Sequence, residues 1–436
     1  MALEQQGVPS IAIHTDAFAR LAKSTARANG MPTTRQAYVP QPLVDRSPEQ
    51  LRAYIEGPDP INKKPFMQIL LEGLTGELDD NDRKGLTFER DIPRFLEPDT
   101  EDNLRQLFMD NYWTDFMPIV LPTEERVEAM LKGTSHPRDK VVGRLSPTNF
   151  REDWEFTVEK VAVNAVMAGC KPEYLPVVLA MTSCGMTSLS SSTTSFAGLA
   201  VVNGPIRKEL GMNTGIGVMG PYDHASVSIG RAWNLASRNL QGGSTPGDTY
   251  MGSLGNWYAV ASCFAENEEA SPWTPLHTQY GFKPEESAVT TFRGGRYMQS
   301  GFGPRVEWQN KFRAAFAATA PRMSPLIVMD PIVARGLIEK GLTTKDDFIN
   351  WCAENAQQRA ADYWNDQWVQ TLVHPLAVAG VEPWATNLKA APDDMLKMFT
   401  KDEINVVVTG GETQGNWRIY EGKRMKNNTV SIDKWR

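Results

Sequence analysis

The chain has 436 residues, room for about three domains at roughly 150 residues each. Hydrophobic residues make up 41% and charged residues 22%, which excludes a disordered or collagen-like chain. The formal net charge of −7 argues against nucleic acid or an anionic membrane as the main partner.

Ser10 to His14 alternates as a short strand, Phe18, Leu21 and Ala22 mark a helix face that Asn29-Gly30 ends, and Ala37 to Val39 is β-prone again. This order predicts a βαβ unit over residues 1–45. No strand precedes it to complete the sheet, so its edge is expected to pair with another chain or with the C-terminal strand near Val406 to Val408. Ser47-Pro48-Glu49-Gln50 is a capping box that opens a helix to Glu56, stopped by Gly57-Pro58. Residues 46–115 then read as an irregular or helical insertion. Its acidic stretch Glu77 to Asp82 reads as a solvated turn, because Arg83 stands where a calcium hand needs an oxygen ligand.

A central α/β substrate domain is expected over 116–300. It starts with the apolar run Met117 to Leu121 and has helices from Pro122-Thr123 to Leu131, from Val158 to Ala168 and from Pro176 to Thr182. A strand, Phe196 to Val202, follows the hydroxyl-rich turn Ser190 to Ser195, and Ser226 to Leu240 is a helix. A C-terminal α/β region, 301–436, is expected to hold helices Arg305 to Ala320 and Asp330-Pro331 to Lys340, and one long helix from Asp346 to Trp368. Its strands are Pro325 to Met329 and Ile404 to Thr409. The fold class is therefore mixed α/β. The longest nearly apolar run, Tyr174 to Met181, contains Pro176 and falls short of the ~20 residues of a membrane span. Four scattered cysteines and no recognisable signal sequence make the cytoplasm the expected location.

Several strings occur together: Gly7-Val8-Pro9 with Phe18-Ala19 and Gly30-Met31-Pro32, Pro122 to Val127, Ala165 to Tyr174, Asn203-Gly204-Pro205, Ile229 to Ala232, and Glu266-Asn267-Glu268 through Ser271-Pro272-Trp273 to Leu276-His277. In these the sequence resembles the UGSC-like family of (seleno)proteins. The resemblance implies a selenocysteine- or cysteine-Gly-Ser-Cys element on the N-terminal side of residues 7–32, which this sequence is expected to lack. No Cys-x-x-Cys occurs in it either, and dithiol redox chemistry needs two sulfurs in reach of each other. A redox role would therefore need a partner chain carrying the second sulfur or selenium.

His277 follows Glu266, Glu268 and Glu269 in a proline-stiffened loop. Imidazole beside carboxylates suits a general acid or base, with Glu266 as its companion; the alternative is a histidine bonded to backbone. Cys170 precedes Lys171 but closes a helix, whose negative end disfavours thiolate, so it reads as a reactive or a buried structural cysteine. Arg231, Asn203, and Ser192, Thr193 and Thr194 of the hydroxyl turn are candidates for binding a carboxylate. Gly410 and Gly411 follow a buried strand, the edge at which open α/β sheets place ligands. Asp330 stands at an analogous edge, or is a helix cap.

Gly215 to Gly220 fits G-x-G-x-x-G, but Asn213-Thr214 before it and Pro221 after it favour a plain glycine loop, so no nucleotide is predicted. The five histidines are too far apart for a dedicated zinc motif, so no metal ligands are named, although folding could still assemble a metal site. The expectation is an enzyme acting by acid/base chemistry on a small polar or anionic molecule, as a lyase, hydratase or hydrolase, within a homo- or hetero-oligomer. An oxidoreductase subunit and a non-catalytic scaffold are the alternatives.

Overall fold

The computed structural model describes residues 2–28, 30–43, 46–84, 94–144, 155–185, 197–240, 262–302, 307–321, 323–423 and 428–436. Helices and mixed sheets make a mixed α/β fold. Near the N-terminus, β1 (Ala12–Thr15) and β2 (Gln36–Val39) pair in parallel, with helix α1 (Ala19–Ala28) between them. Helix α2 (Pro48–Glu56) begins at the expected capping box, in which Ser47 and Gln50 satisfy each other's backbone N–H. Helix α3 (Phe66–Thr75) lays Phe66, Ile69 and Leu70 against Ala37 and Val39 of β2.

The acidic stretch departs from the solvated turn expected of it. Residues Asp80–Lys84 form a short helix, α4, and Asp82 is buried. Its carboxylate accepts the Thr33 hydroxyl at 2.9 Å and lies 3.7 Å from Arg35, whose guanidinium donates to the carbonyls of Gly73, Gly76 and Glu77. Arg35 thus satisfies the open carbonyl end of α3 and ties the residues after it to the βαβ unit.

Beyond α5 (Glu101–Asp110) and α6 (Glu124–Leu131), a short hairpin of β3 (Val141–Arg144) and β4 (Glu155–Thr157) leads into α7 (Val158–Met167), capped by Thr157 as expected. Helix α8 (Leu175–Ser183) is apolar on every side and buried from Leu175 to Thr182, as befits a helix inside the core. With α9 (His224–Leu240) and α7 it covers one flank of the main sheet.

That sheet runs β11-β8-β12-β7-β5-β6, with β13 beside β7. Its strands are β5 (Ala197–Asn203), β6 (Cys263–Ala265), β7 (Ala288–Phe302), β8 (Ser324–Met329), β11 (Asn405–Val408), β12 (Asn416–Lys423) and β13 (Thr429–Ser431). Because β7 pairs with both β5 and β12, the segments 116–300 and 301–436 share one sheet. The opposite flank is covered by α10 (Trp308–Ala317), α11 (Pro331–Glu339) and α12 (Lys345–Asn355). Residues on the remaining face, among them Val201, Phe264, Phe292, Val328 and Val407, gather into a third core. Strand alternation explains the division: Val328 joins this inner cluster while its neighbours Ile327 and Met329 join the helical flank.

Two sequence expectations are corrected here. The stretch from Asp346 to Trp368 is not one helix: α12 ends at Asn355, and Gln357–Arg359 form β9, paired with β10 (Met395–Lys397). The Ala356 carbonyl accepts the Met398 N–H at 2.9 Å, so strand pairing takes backbone groups that a continuing helix would use. The C-terminal strand β11 pairs with β8 and lies outside the β1–β2 sheet.

Candidate functional site

Strands β8 and β11 are parallel and end together, and a cleft of about 380 Å³ opens beyond their carboxyl ends. Its lining includes Asp330 after β8, Thr409 to Gly411 after β11, Asn416 and Arg418 of β12, and the glycine loop from Ile216 to Gly220. The two glycines after β11 have separate backbone reasons. Gly410 has φ +97°, and a Cβ on Gly411 would stand 2.2 Å from Cγ1 of Ile216, so only glycine lets the loop approach this closely. The Gly410 N–H donates to the Thr214 carbonyl at 2.9 Å, fastening the loop to the strand end.

Asp330 joins three elements at the cleft. Its carboxylate accepts the Val333 N–H at 3.0 Å, capping α11, and the Asn416 N–H at 2.5 Å, while its own N–H donates to the Asn416 carbonyl at 2.9 Å. Burial pushes its pKa up, against the opposing pull of those backbone donors and of Arg335. Such a carboxyl is held nearer its neutral form than a free aspartate. Arg418 follows Asn416 by two residues, so strand alternation sends both away from the helical flank that Trp417 and Ile419 enter.

The other carboxylate cluster runs from sealed Glu266 to exposed Glu269. Glu266 is fully buried just beyond β6 and accepts from Asn203 Nδ2 at 2.6 Å and from the Leu276 N–H at 2.8 Å. Lys345 Nζ lies 3.6 Å from it and donates to the Val406 carbonyl at 3.0 Å. Burial lowers the Lys345 pKa, while Glu266 acts to raise it. Asn203 also donates to Glu268 at 2.9 Å, and buried Arg207 donates to Glu268 at 2.7 Å and to Glu269 at 3.1 Å. The Arg207 pair holds the Glu269 carboxyl at about 2.

These charges stand where the sheet's two edges meet. The Asn267 N–H donates to the Val408 carbonyl at 2.9 Å and the Thr409 hydroxyl to the Ala265 carbonyl at 2.7 Å, joining the ends of β6 and β11. His277 is fully buried near by, with Nε2 3.0 Å from the Lys283 carbonyl and Nδ1 without a partner among the described residues. Glu266 and His277 therefore lie in the interior, and neither lines the cleft.

The remaining candidates are distributed apart. Arg231 binds Asp115 with two hydrogen bonds of 2.8 and 2.9 Å and also donates to the Pro118 carbonyl, strapping residues 115–118 onto α9. Asn203 belongs to the Glu266 cluster. Burial pushes the Cys170 thiol up to about 12, against weaker effects of Ser228 and Arg231, and burial raises Cys263 and Cys352 as well. Ser192, Thr193 and Thr194 lie outside the described residues. Gly410 and Gly411 do line the cleft. The G-x-G-x-x-G string forms its wall from a loop that precedes α9, with no strand leading into it. Among the described residues no group of three or more His, Cys, Asp or Glu side chains is placed to hold a metal, and no helix is long and apolar enough to cross a membrane.

Arg418 went unnoticed in the sequence because residues 416–423 were not read as a strand. The alternation of Trp417 and Ile419 with Asn416, Arg418 and Tyr420 carried that signal.

The model of the UGSC family matches residues 1–57. The chain resembles the UGSC family. The matching segment holds β1, α1, β2 and α2 and stops short of every cleft residue. No curated protein matches the chain.

Proposed function

We propose that the chain is an enzyme that binds a small anionic organic molecule in the cleft beyond β8 and β11 and moves a proton with Asp330. The observation that carries this reading is the convergence on one open cleft of Arg418, the buried Asp330 carboxyl and two glycine-lined loops. A guanidinium offers a substrate carboxylate paired N–H donors, and a carboxyl kept nearer neutrality by burial can give a proton and take it back. The thiols of Cys170, Cys263 and Cys352 are held protonated at neutral pH, which favours acid/base chemistry over thiolate chemistry at those residues.

The test is a panel of short hydroxy-, keto- and dicarboxylic acids, screened by thermal shift and calorimetry and followed by NMR for turnover. A binder is expected, with Arg418→Gln weakening it at least about tenfold, the loss of one charge-assisted contact. Asp330→Asn can still accept the Val333 N–H that caps α11 but loses the acceptor for the Asn416 N–H, so it is expected to fold with reduced stability and to bind but not turn over. Binding that ignores Arg418, or turnover that survives without the Asp330 carboxyl, would refute the reading.

A further inference from the structure

The two outer edges of the small N-terminal sheet are treated differently. In the parallel pairing of β1 with β2 the Ala12 N–H donates to the Arg35 carbonyl at 3.0 Å, so Ala12 and His14 direct their backbone groups at β2. The backbone groups of Ile11 and Ile13 and the Thr15 N–H then point at the outer edge, the Thr15 carbonyl being taken by the tight turn Asp16–Phe18. On β2 two of the corresponding outward groups are occupied: Asp59, fully buried, accepts the Tyr38 N–H at 2.7 Å, and Asn62 Nδ2 donates to the Gln36 carbonyl at 3.2 Å. Among the described residues nothing does this for β1, and Ile13 is 54% exposed.

Free strand edges are ordinarily blunted by charge, proline or a covering segment. Residues Val8 to Thr15 contain no Asp, Glu, Lys or Arg, and their one proline, Pro9, stands before the strand; a two-stranded sheet alone is marginal in water. We propose that the outer edge of β1 is a dimerisation edge, on which β1 of a second copy of this chain pairs antiparallel about a two-fold axis through Ile13. In that register Ile13 faces Ile13 of the second copy as a hydrogen-bonded pair, each N–H donating to the other's carbonyl. The Thr15 N–H then donates to the Ile11 carbonyl on either side, and Ala12 stands opposite His14, so no like formal charges meet. The strand order becomes β2-β1-β1-β2, a four-stranded sheet whose two outer edges each carry the Asp59 and Asn62 bonds.

The experiment uses the full chain, with sedimentation from about 1 to 100 μM, the range expected for an interface of this modest size, and hydrogen exchange at both ends of it. A dimer is expected whose formation slows exchange of the Ile13 and Thr15 amides. Ile13→Pro removes an N–H that the β2 pairing does not use and is expected to raise the dissociation constant at least about tenfold. Ile13→Lys keeps the backbone and sets two charges against each other, and is expected to do the same should the proline variant fold poorly. A monomer throughout, or a dimer that keeps its strength in Ile13→Lys and leaves these amides unprotected, overturns the proposal.

Discussion

The Glu266 cluster and the Asp330 cleft use the same materials, carboxylates beside cations at strand ends, and they differ in what closes over them. Around Glu266 the ends of β6 and β11 meet, Lys345 reaches in from α12 and Asn203 from β5, and each buried charge stands near an opposite charge or a hydrogen-bond donor. Around Asp330 the chain turns outward through glycines, and an open volume of about 380 Å³ remains. The first arrangement binds parts of this chain to one another. The second borders an open volume that a small ligand can enter.

The largest effect that separates the two is expected from Lys345→Met. It leaves Glu266 fully buried without its cation, and removing one member of a buried pair costs about 3–5 kcal/mol. Urea unfolding of this variant should show a large drop in midpoint. Adding Glu266→Gln should recover part of the loss, since the stranded charge is then gone. A Lys345→Met protein of native stability would mean that the charges are not holding the β6 and β11 ends together.

The mixed α/β class, the βαβ unit, the Ser47 capping box, the Thr157 cap and most helix starts were legible because they rest on local rules: a Ser47 or Thr157 side chain and the N–H it accepts, and an apolar period that matches one face. The Glu266 cluster was legible as residue types but not as an interior, because its sealing depends on Lys345 and Val408, distant in the chain. Asp82 failed for the same reason, its burial being set by Thr33 and Arg35. Arg418 was missed although the alternation of Trp417 and Ile419 marked a strand, and the break at Ala356 was invisible because helical spacing continues through it while strand pairing with residues 395–397 decides the backbone.

A middle-sized effect should appear at the cleft wall with Gly411→Ala. The added methyl would stand 2.2 Å from Ile216 Cγ1 and 2.9 Å from the Ile216 nitrogen, so the glycine loop must withdraw, at a cost of about 1–3 kcal/mol. The cleft should widen, and any anion that binds the wild type should bind this variant less well while Arg418 and Asp330 remain. Unchanged affinity would show that the loop does not touch the ligand, and the bound region would then shrink to the strand ends.

The smallest effect is expected where the sequence looked most catalytic. His277 presents Nε2 to the Lys283 carbonyl at 3.0 Å and is fully buried, and an imidazole that no solvent or substrate reaches has nothing to exchange a proton with during turnover. Glutamine places an N–H donor near the Nε2 position, so His277→Gln should keep the bond to Lys283. It should lose within about 1 kcal/mol of stability, the scale of one exchanged hydrogen bond. Turnover of the substrate identified in the carboxylic acid panel should stay within about twofold of wild type, with the same pH profile. If turnover instead falls by about 10²–10⁴-fold with stability intact, the proton moves at His277, and the sealed cluster must open during the reaction while the Asp330 cleft loses its catalytic assignment.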